Sequence, residues 1–358
     1  NLLMFHLNHE NIYYLNMVKI GRPQIEIGHM KKMMVQLYWE EKMDNSIVFG
    51  GNGFIGTHLI RTLGSTCLSF DLVTGSKTSK FCDVRETINI DLDNQIDIIF
   101  NFAALHTTPK HEYQEYFETN IKGAENICDF ARKNNINTIV FTSSIATYGT
   151  WEDEMNENSF PLPTSAYGIS KLLAEEVHKR WQSEDKKRKL IILRPGVVFG
   201  EGEGGNFTRL FNAISRGRFM YPGRKDTRKS AIYVKDLVNI MVEMTKKETP
   251  GCYLYNMAYT PNHTIEKICK SIAKVTGSNV PRILVPSWIL LSSAYIINAI
   301  GKISGLSFNG IHPDRVKKLL ISTDVVGKKI LDDGYEYQYS LESAIQDWYD
   351  DCNREKLV

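Results

Sequence analysis

Cysteine is sparse and unpatterned in this chain. Its six residues (Cys67, Cys82, Cys128, Cys252, Cys269 and Cys352) form no CxxC pair. Such spacing holds neither a disulfide framework nor a structural zinc site, no metal is expected, and a reducing cytoplasm is the implied setting. An excess of one charge is missing too. Lysine and arginine number 43 against 41 aspartates and glutamates, so no long-range field favours a nucleic-acid partner. The start shows no n-region, long apolar h-region or cleavage site. Asn1–Lys42 also lacks periodicity, and we read residues 1–42 as an upstream extension or mis-assigned start, set aside from the fold. Internal repeats and low-complexity tracts are absent.

What is present is an alternation. Ser46–Gly50, Cys67–Asp71, Ile96–Phe102, Thr138–Ser143 and Leu190–Leu193 are short apolar runs that read as buried parallel strands. Helical spacing falls between them, at Ile55–Leu63, Tyr113–Lys133 and Ala166–Arg180. Strands alternating with helices predict an α/β chain with a parallel sheet covered on both faces. After Gly200 the rhythm changes. Phe207–Ser215 and Val234–Lys246 look helical, Ser230–Tyr233 strand-like, Thr264 is placed to cap a further helix, and Ser340–Cys352 forms a last one. We expect residues 43–200 to form a dinucleotide-binding domain. Residues 201–358 would form a smaller substrate lobe interleaved with the last strands of the sheet.

Gly50-Gly-Asn-Gly53-Phe-Ile-Gly56 lies between a strand and a helix. The first glycine of such a triplet permits a tight turn, the second lets backbone approach a pyrophosphate, and the third allows close helix–strand packing. Asp71 ends the second strand 21 residues after Gly50, where a carboxylate reaches both ribose hydroxyls and repels a 2′-phosphate. NAD is therefore expected over NADP, although Lys77 and Lys80 stand nearby. Tyr167 and Lys171 are four apart on a predicted helix, one turn from each other. A free phenol has a pKa near 10; a neighbouring ammonium and a positive nicotinamide favour its phenolate. The preceding strand ends in Ser143-Ser144, whose hydroxyls belong at the carboxyl edge of the sheet, where ligands bind.

This ordered set, with Cys82-Asp83-Val84-Arg85, Asn101-Phe-Ala-Ala104, Thr119-Asn120-x-x-Gly123, Ser144-x-x-x-Tyr148-Gly149 and Arg194-Pro195, resembles the extended short-chain dehydrogenase/reductases, the NAD-dependent epimerase/dehydratase family. The resemblance runs from about Asp44 to the C-terminus. It implies a Rossmann-type doubly wound sheet with a smaller C-terminal substrate lobe. It implies that Tyr167 is the acid–base residue, that Ser144 bonds the reacting sugar oxygen, and that Lys171 holds the nicotinamide ribose. By the same resemblance Gly50, Gly53, Phe54, Ile55 and Gly56 cradle the cofactor, Asp83 and Val84 flank the adenine, and Phe102, Ala103 and Ala104 line the pyrophosphate. Asn120 then sits in the helix behind the site and Pro195 approaches the nicotinamide amide. Tyr148, Asn206 and Arg228 are the implied substrate contacts beside Ser144. A homodimer through Tyr113–Lys133 and Ala166–Arg180 is implied as well.

Within that family the positions after Ser144 discriminate. Sugar 4,6-dehydratases carry an Asp-Glu pair there, whereas this chain has Ile145-Ala146, leaving no second acid–base group to expel water. The expected activity is epimerisation of an activated hexose, at C4, through a transient keto-sugar. The alternatives are an NAD(P)-dependent keto-sugar reductase or dehydrogenase, a 4,6-dehydratase, and a non-catalytic NAD-binding regulator. Val197 replaces the asparagine of many nucleotide-sugar 4-epimerases, and Gly217–Gly223, Lys229–Asp236 and Arg315–Thr323 resemble bacterial surface-polysaccharide (O-antigen) epimerases. One group of these acts on N-acetylglucosamine carried by undecaprenyl diphosphate, so the carrier stays open between nucleotide and polyprenol. Ile283–Gly301 holds no charge across 19 positions. It reads as a groove-lining helix of the substrate lobe, as an interfacial element touching membrane or polyprenyl lipid, or as a transmembrane helix, which Pro286, Asn298 and its serines suit poorly. His106, Arg224, Lys225 and Lys229 could meet substrate phosphate or remain loop residues.

Overall fold

Val, Ile and Phe bury both faces of the inner strands, and this is what makes the sheet the centre of the fold. A computed structural model describes residues 45–353 apart from 65–66, 75–78, 107–110, 151, 248 and 305–319, so the expectation for Asn1–Lys42 lies outside the described residues. Seven strands form the central sheet: β1 (Ser46–Phe49), β2 (Leu68–Asp71), β3 (Lys80–Phe81), β4 (Ile98–Asn101), β5 (Thr138–Thr142), β6 (Lys189–Pro195) and β7 (Gly251–Met257). Their order is β7-β6-β5-β4-β1-β2-β3, and every pairing is parallel. This is a Rossmann-type doubly wound sheet. The strand order reverses between β1 and β4, and the crevice beyond their carboxyl ends is where ligands enter such sheets.

Two cores flank the sheet. Val48, Phe100, Val140, Ile191 and Leu193 point into one, with the helices Asn206–Ser215, Val234–Thr245 and Leu341–Asp351. Ile47, Phe49, Ile99, Ile139, Phe141 and Ile192 point into the other. There they meet helix α2, which runs from Tyr113 to Lys133, and helix α3 (Ala166–Ser183). Helix α1 (Phe54–Leu63) follows β1.

The last strand comes from the C-terminal part of the chain: β7 pairs with β6 from Gly251↔Lys189 to Met257↔Pro195. Thr264 caps the helix Ile265–Thr276, its hydroxyl accepting from the Lys267 amide. One departure from the predicted helices bears on the site. Glu118–Lys122, inside α2, widens into a single turn of π-helix, a feature that side-chain spacing does not reveal.

Candidate active site

The glycine turn is shaped by crowding. Gly50 has φ +82°, and a Cβ there would lie 2.7 Å from the Ala103 amide nitrogen. At Gly56 a Cβ would lie 2.3 Å from the Gly50 carbonyl oxygen and 2.8 Å from the Gly51 Cα. Gly53 is different: its only near neighbour would be the Gly50 oxygen, at 3.2 Å, so bare backbone faces the crevice. Gly53 also caps α1 without a side-chain hydrogen bond. The amides of Phe54, Ile55 and Gly56 in the first turn are thereby left for an anion. A dinucleotide pyrophosphate fits this cradle. Gly56→Ala should push α1 off the turn, costing about 1–3 kcal/mol by overpacking and lowering the bound nucleotide. Thermal unfolding together with nucleotide content checks it; an unshifted transition with full content contradicts it.

Asp71 is held over the same turn. Its Oδ2 accepts from the Asn52 amide and its Oδ1 from the Val73 amide, each at 3.0 Å, while the Asn52 side chain donates to the Val73 carbonyl. Asp71→Ala should weaken NAD more than NADP, since the carboxylate favours ribose hydroxyls and repels phosphate. Binding titrations with both nucleotides read the ratio, and an equal loss of the two removes the ribose assignment. Lys80 is exposed on β3, and Lys77 lies outside the described residues.

Across the crevice, Phe102-Ala103-Ala104 leaves β4 and is tied down from behind. The Asn120 side chain accepts from the Leu105 amide at 2.9 Å and donates to the Leu105 carbonyl at 3.2 Å and to Ser170 Oγ at 2.8 Å. The π-turn thus places one amide between the Ala-Ala loop and the helix carrying Tyr167. Val84 is buried and would crowd any Cβ on Gly123, at 2.8 Å. The Asp83 carboxylate is turned onto Arg85, whose Nε and Nη2 donate to it at 2.9 and 2.6 Å. Those bonds hold it below the usual carboxylate range. His106 lies exposed just past the loop, with Lys171 among the charges acting on it.

The catalytic candidates meet at the end of β5. Ser144 caps a short 3₁₀ turn, its Oγ accepting from the Ala146 amide at 3.1 Å, and it stands close enough to the Tyr167 phenol to favour the phenolate. The Tyr116 ring lies 6.4 Å from the Tyr167 ring. Lys171, 3% exposed, donates to the Thr142 carbonyl at 2.8 Å and sits 4.8 Å from the centre of the Phe141 ring. Burial pushes its pKa down to about 7, against the opposing pull of Glu175. From sequence, this ammonium is expected to lower the phenol's pKa. Within the chain itself the direction is upward, because burial of Tyr167 outweighs the pull of the Ser144 hydroxyl and the ammonium is directed to Thr142. The positive ring of NAD, when bound, would supply charge that favours the phenolate.

A buried carboxylate that the motifs do not include joins these pieces. Glu175 is fully buried and accepts from Arg194 Nε at 2.8 Å, from Arg194 Nη2 at 2.6 Å and from Ser143 Oγ at 2.5 Å. It therefore links the strand end bearing Ser144, the helix bearing Tyr167 and Lys171, and the Arg194-Pro195 end of β6. A sequence signal for it exists: Glu175 follows Lys171 by one helical turn.

The expected substrate contacts fare unequally. Tyr148 is corrected: it is fully buried, donates to Asn256 Oδ1 at 2.9 Å and lies under the Arg194 guanidinium at 4.8 Å, so it packs the interior and lines no cleft. Asn206 is exposed at the start of its helix and accepts from Arg209 Nη2 at 2.8 Å. Arg228 is exposed, donating to the Asn262 carbonyl at 2.9 Å with Asp324 at 3.6 Å. Arg224 is engaged by Glu152 and Ser322 at 2.6 and 2.7 Å. Glu201 and Glu203 anchor their loop: Arg61 pairs with Glu201 at 2.6 Å, and the Thr208 hydroxyl donates to Glu203 at 2.6 Å. Among the described residues no group of three or more His, Cys, Asp or Glu could hold a metal ion.

Comparison with known proteins agrees with this geometry. Residues 46–258 match the profile described as the NAD dependent epimerase/dehydratase family. The chain is 28% identical over 312 residues to N-acetyl-alpha-D-glucosaminyl-diphospho-ditrans,octacis-undecaprenol 4-epimerase of Escherichia coli O157:H7, covering 84% of this chain and 93% of that one. It is 25% identical to UDP-glucose 4-epimerase of Bacillus subtilis (strain 168), over 66% of this chain and 83% of the other. UDP-glucuronic acid 4-epimerase from Bacillus cereus, solved in complex with NAD, shares the fold at TM-score 0.61 and 18% identity, covering 86% of this chain and 98% of that one.

Proposed function

This chain belongs to the NAD dependent epimerase/dehydratase family, and on that premise we propose that it inverts C4 of an activated hexose through a transient keto-sugar. The observation that carries the reading is the Ser144–Tyr167 hydroxyl pair beside buried Lys171, followed by Ile145-Ala146. Those two residues fill the 3₁₀ turn with apolar groups, so no acid stands ready to eliminate water. NAD, held by the glycine turn and Asp71, supplies reversible hydride chemistry when bound.

The remaining work is done by the chain. Ser144 holds the reacting oxygen in line. Tyr167 takes the hydroxyl proton as the carbon gives up its hydride, then returns that proton after the ketone has turned over. Lys171 steadies the tyrosine helix against β5 and places positive charge next to the ribose. Asn120 keeps the Ala103-Ala104 loop at its distance from that helix. Arg228 and Asn206 are the proposed contacts for the sugar and its diphosphate. Residues 43–200 then serve the cofactor and 201–358 the sugar, with β7 shared between them.

Polysaccharide biosynthesis in a cytoplasmic setting, peripheral to the membrane, and a homodimer through α2 and α3 complete the reading; Tyr113 and Leu173 stand exposed on those helices, as such an interface would use. Separate incubation with UDP-N-acetylglucosamine, UDP-glucose and undecaprenyl-diphosphate N-acetylglucosamine, without added cofactor, tests it. NMR should show a C4 epimer accumulating to a fixed ratio from at least one of them. No epimer from any of the three would count against the reading.

A further inference from the structure

The first part of the helix Ser287–Ser304 exposes large side chains. Trp288 is 68% exposed, Tyr295 52% and Ile296 59%, with Ile289 exposed beside them. With Ser292 these positions recur at i, i+1, i+4, i+7 and i+8, a single stripe along one face. The preceding strand adds exposed apolar residues: Ile283 and Leu284 are exposed, and Leu284 pairs with Tyr221, next to exposed Met220. A contiguous apolar patch of this kind marks a contact surface.

Charge identifies what it contacts. Residues 204–223 and 277–297, the two segments joined by that pairing, contain Arg209, Arg216, Arg218 and Arg282 and no aspartate or glutamate. Four cations without one carboxylate stand out in a chain whose total is +2. An apolar stripe bearing Trp and Tyr, set in segments that carry only cations, fits the boundary between headgroups and acyl chains of an anionic bilayer. No described helix is long and apolar enough to cross a membrane.

We propose that this face seats the enzyme on an anionic bilayer, where it draws its sugar from a polyprenyl-diphosphate carrier. The docking half stands on the surface alone; the substrate half rests on the epimerase reading above.

Sedimentation of the full chain with vesicles tests the docking. The protein should pellet with phosphatidylcholine vesicles containing phosphatidylglycerol, far less with phosphatidylcholine alone, and less again at high salt. The double variant Trp288→Ser, Ile296→Ser should lower the partition coefficient by about tenfold or more, and Arg282→Glu should weaken it on anionic vesicles only. Both variants change exposed side chains, so their unfolding temperatures should match the parent. No pelleting of the parent, or equal pelleting of the double variant, overturns the docking. With the sugar on undecaprenyl diphosphate in vesicles, the double variant should be slowed about as much as its binding is, while turnover of a short-chain, water-soluble polyprenyl diphosphate sugar stays unchanged. Equal turnover of the vesicle-borne sugar overturns the substrate half. Absence of turnover on any sugar refutes the epimerase reading, whereas the docking half stands or falls on the pelleting alone.

Discussion

Tyr167→Phe should lower turnover by about 10²–10⁴-fold while leaving NAD content close to that of the parent. The substitution removes one oxygen and nothing else. The ring still fills its place beside Tyr116, Lys171 still reaches Thr142, and the glycine turn and Asp71 lie on other elements. What disappears is the phenol that stands near the Ser144 hydroxyl, and with it the proposed path by which the sugar proton leaves and returns. Steady-state turnover and nucleotide released on denaturation check the two halves separately. Unchanged turnover would remove Tyr167 as the acid–base group, and a parallel loss of NAD would make its role structural.

The second large effect is expected at Glu175. Its carboxylate is fully buried and receives two hydrogen bonds from an Arg194 guanidinium that is only 2% exposed. Glu175→Ala leaves that cation in the interior without a counter-charge, which costs about 3–5 kcal/mol. The pair replaced together by apolar residues of similar size should lose much less, because the penalty lies in the orphaned charge rather than in the missing bridge. Urea unfolding of the single and double variants separates the cases. A single variant within about 1 kcal/mol of the parent would mean that Arg194 finds another partner. Glu175 is also the group that opposes burial at Lys171. Glu175→Gln, which keeps the shape, should therefore lower the lysine's pKa further and shift the activity profile, not merely the stability.

The parts of the fold written locally were legible. β1, β2, β4, β5 and β6 are apolar runs between turn signals, and α1 and α3 follow from spacing, because each is decided by neighbours in the chain. β7 was not placed from sequence, since Gly251–Met257 becomes a central-sheet strand only by pairing with β6. The π-turn at Glu118–Lys122 was hidden for a similar reason: the bonds of Asn120 to Leu105 and Ser170 connect positions 15 and 50 residues away. At the site, motif residues could be named because chemistry fixes their types. Tyr148 is harder to read, because a tyrosine four positions after Ser144 looks the same whether its ring faces a cleft or an arginine in the interior.

The central claim is that hydride leaves and returns to one carbon inside the site, with Tyr167 shuttling the proton. A substrate carrying deuterium at C4, incubated with purified enzyme and no added cofactor, tests it most directly. NMR should find the epimer with its deuterium still at C4 and no solvent hydrogen in its place. Loss of that label to solvent, or turnover only when a nicotinamide cofactor is supplied and consumed, would contradict it.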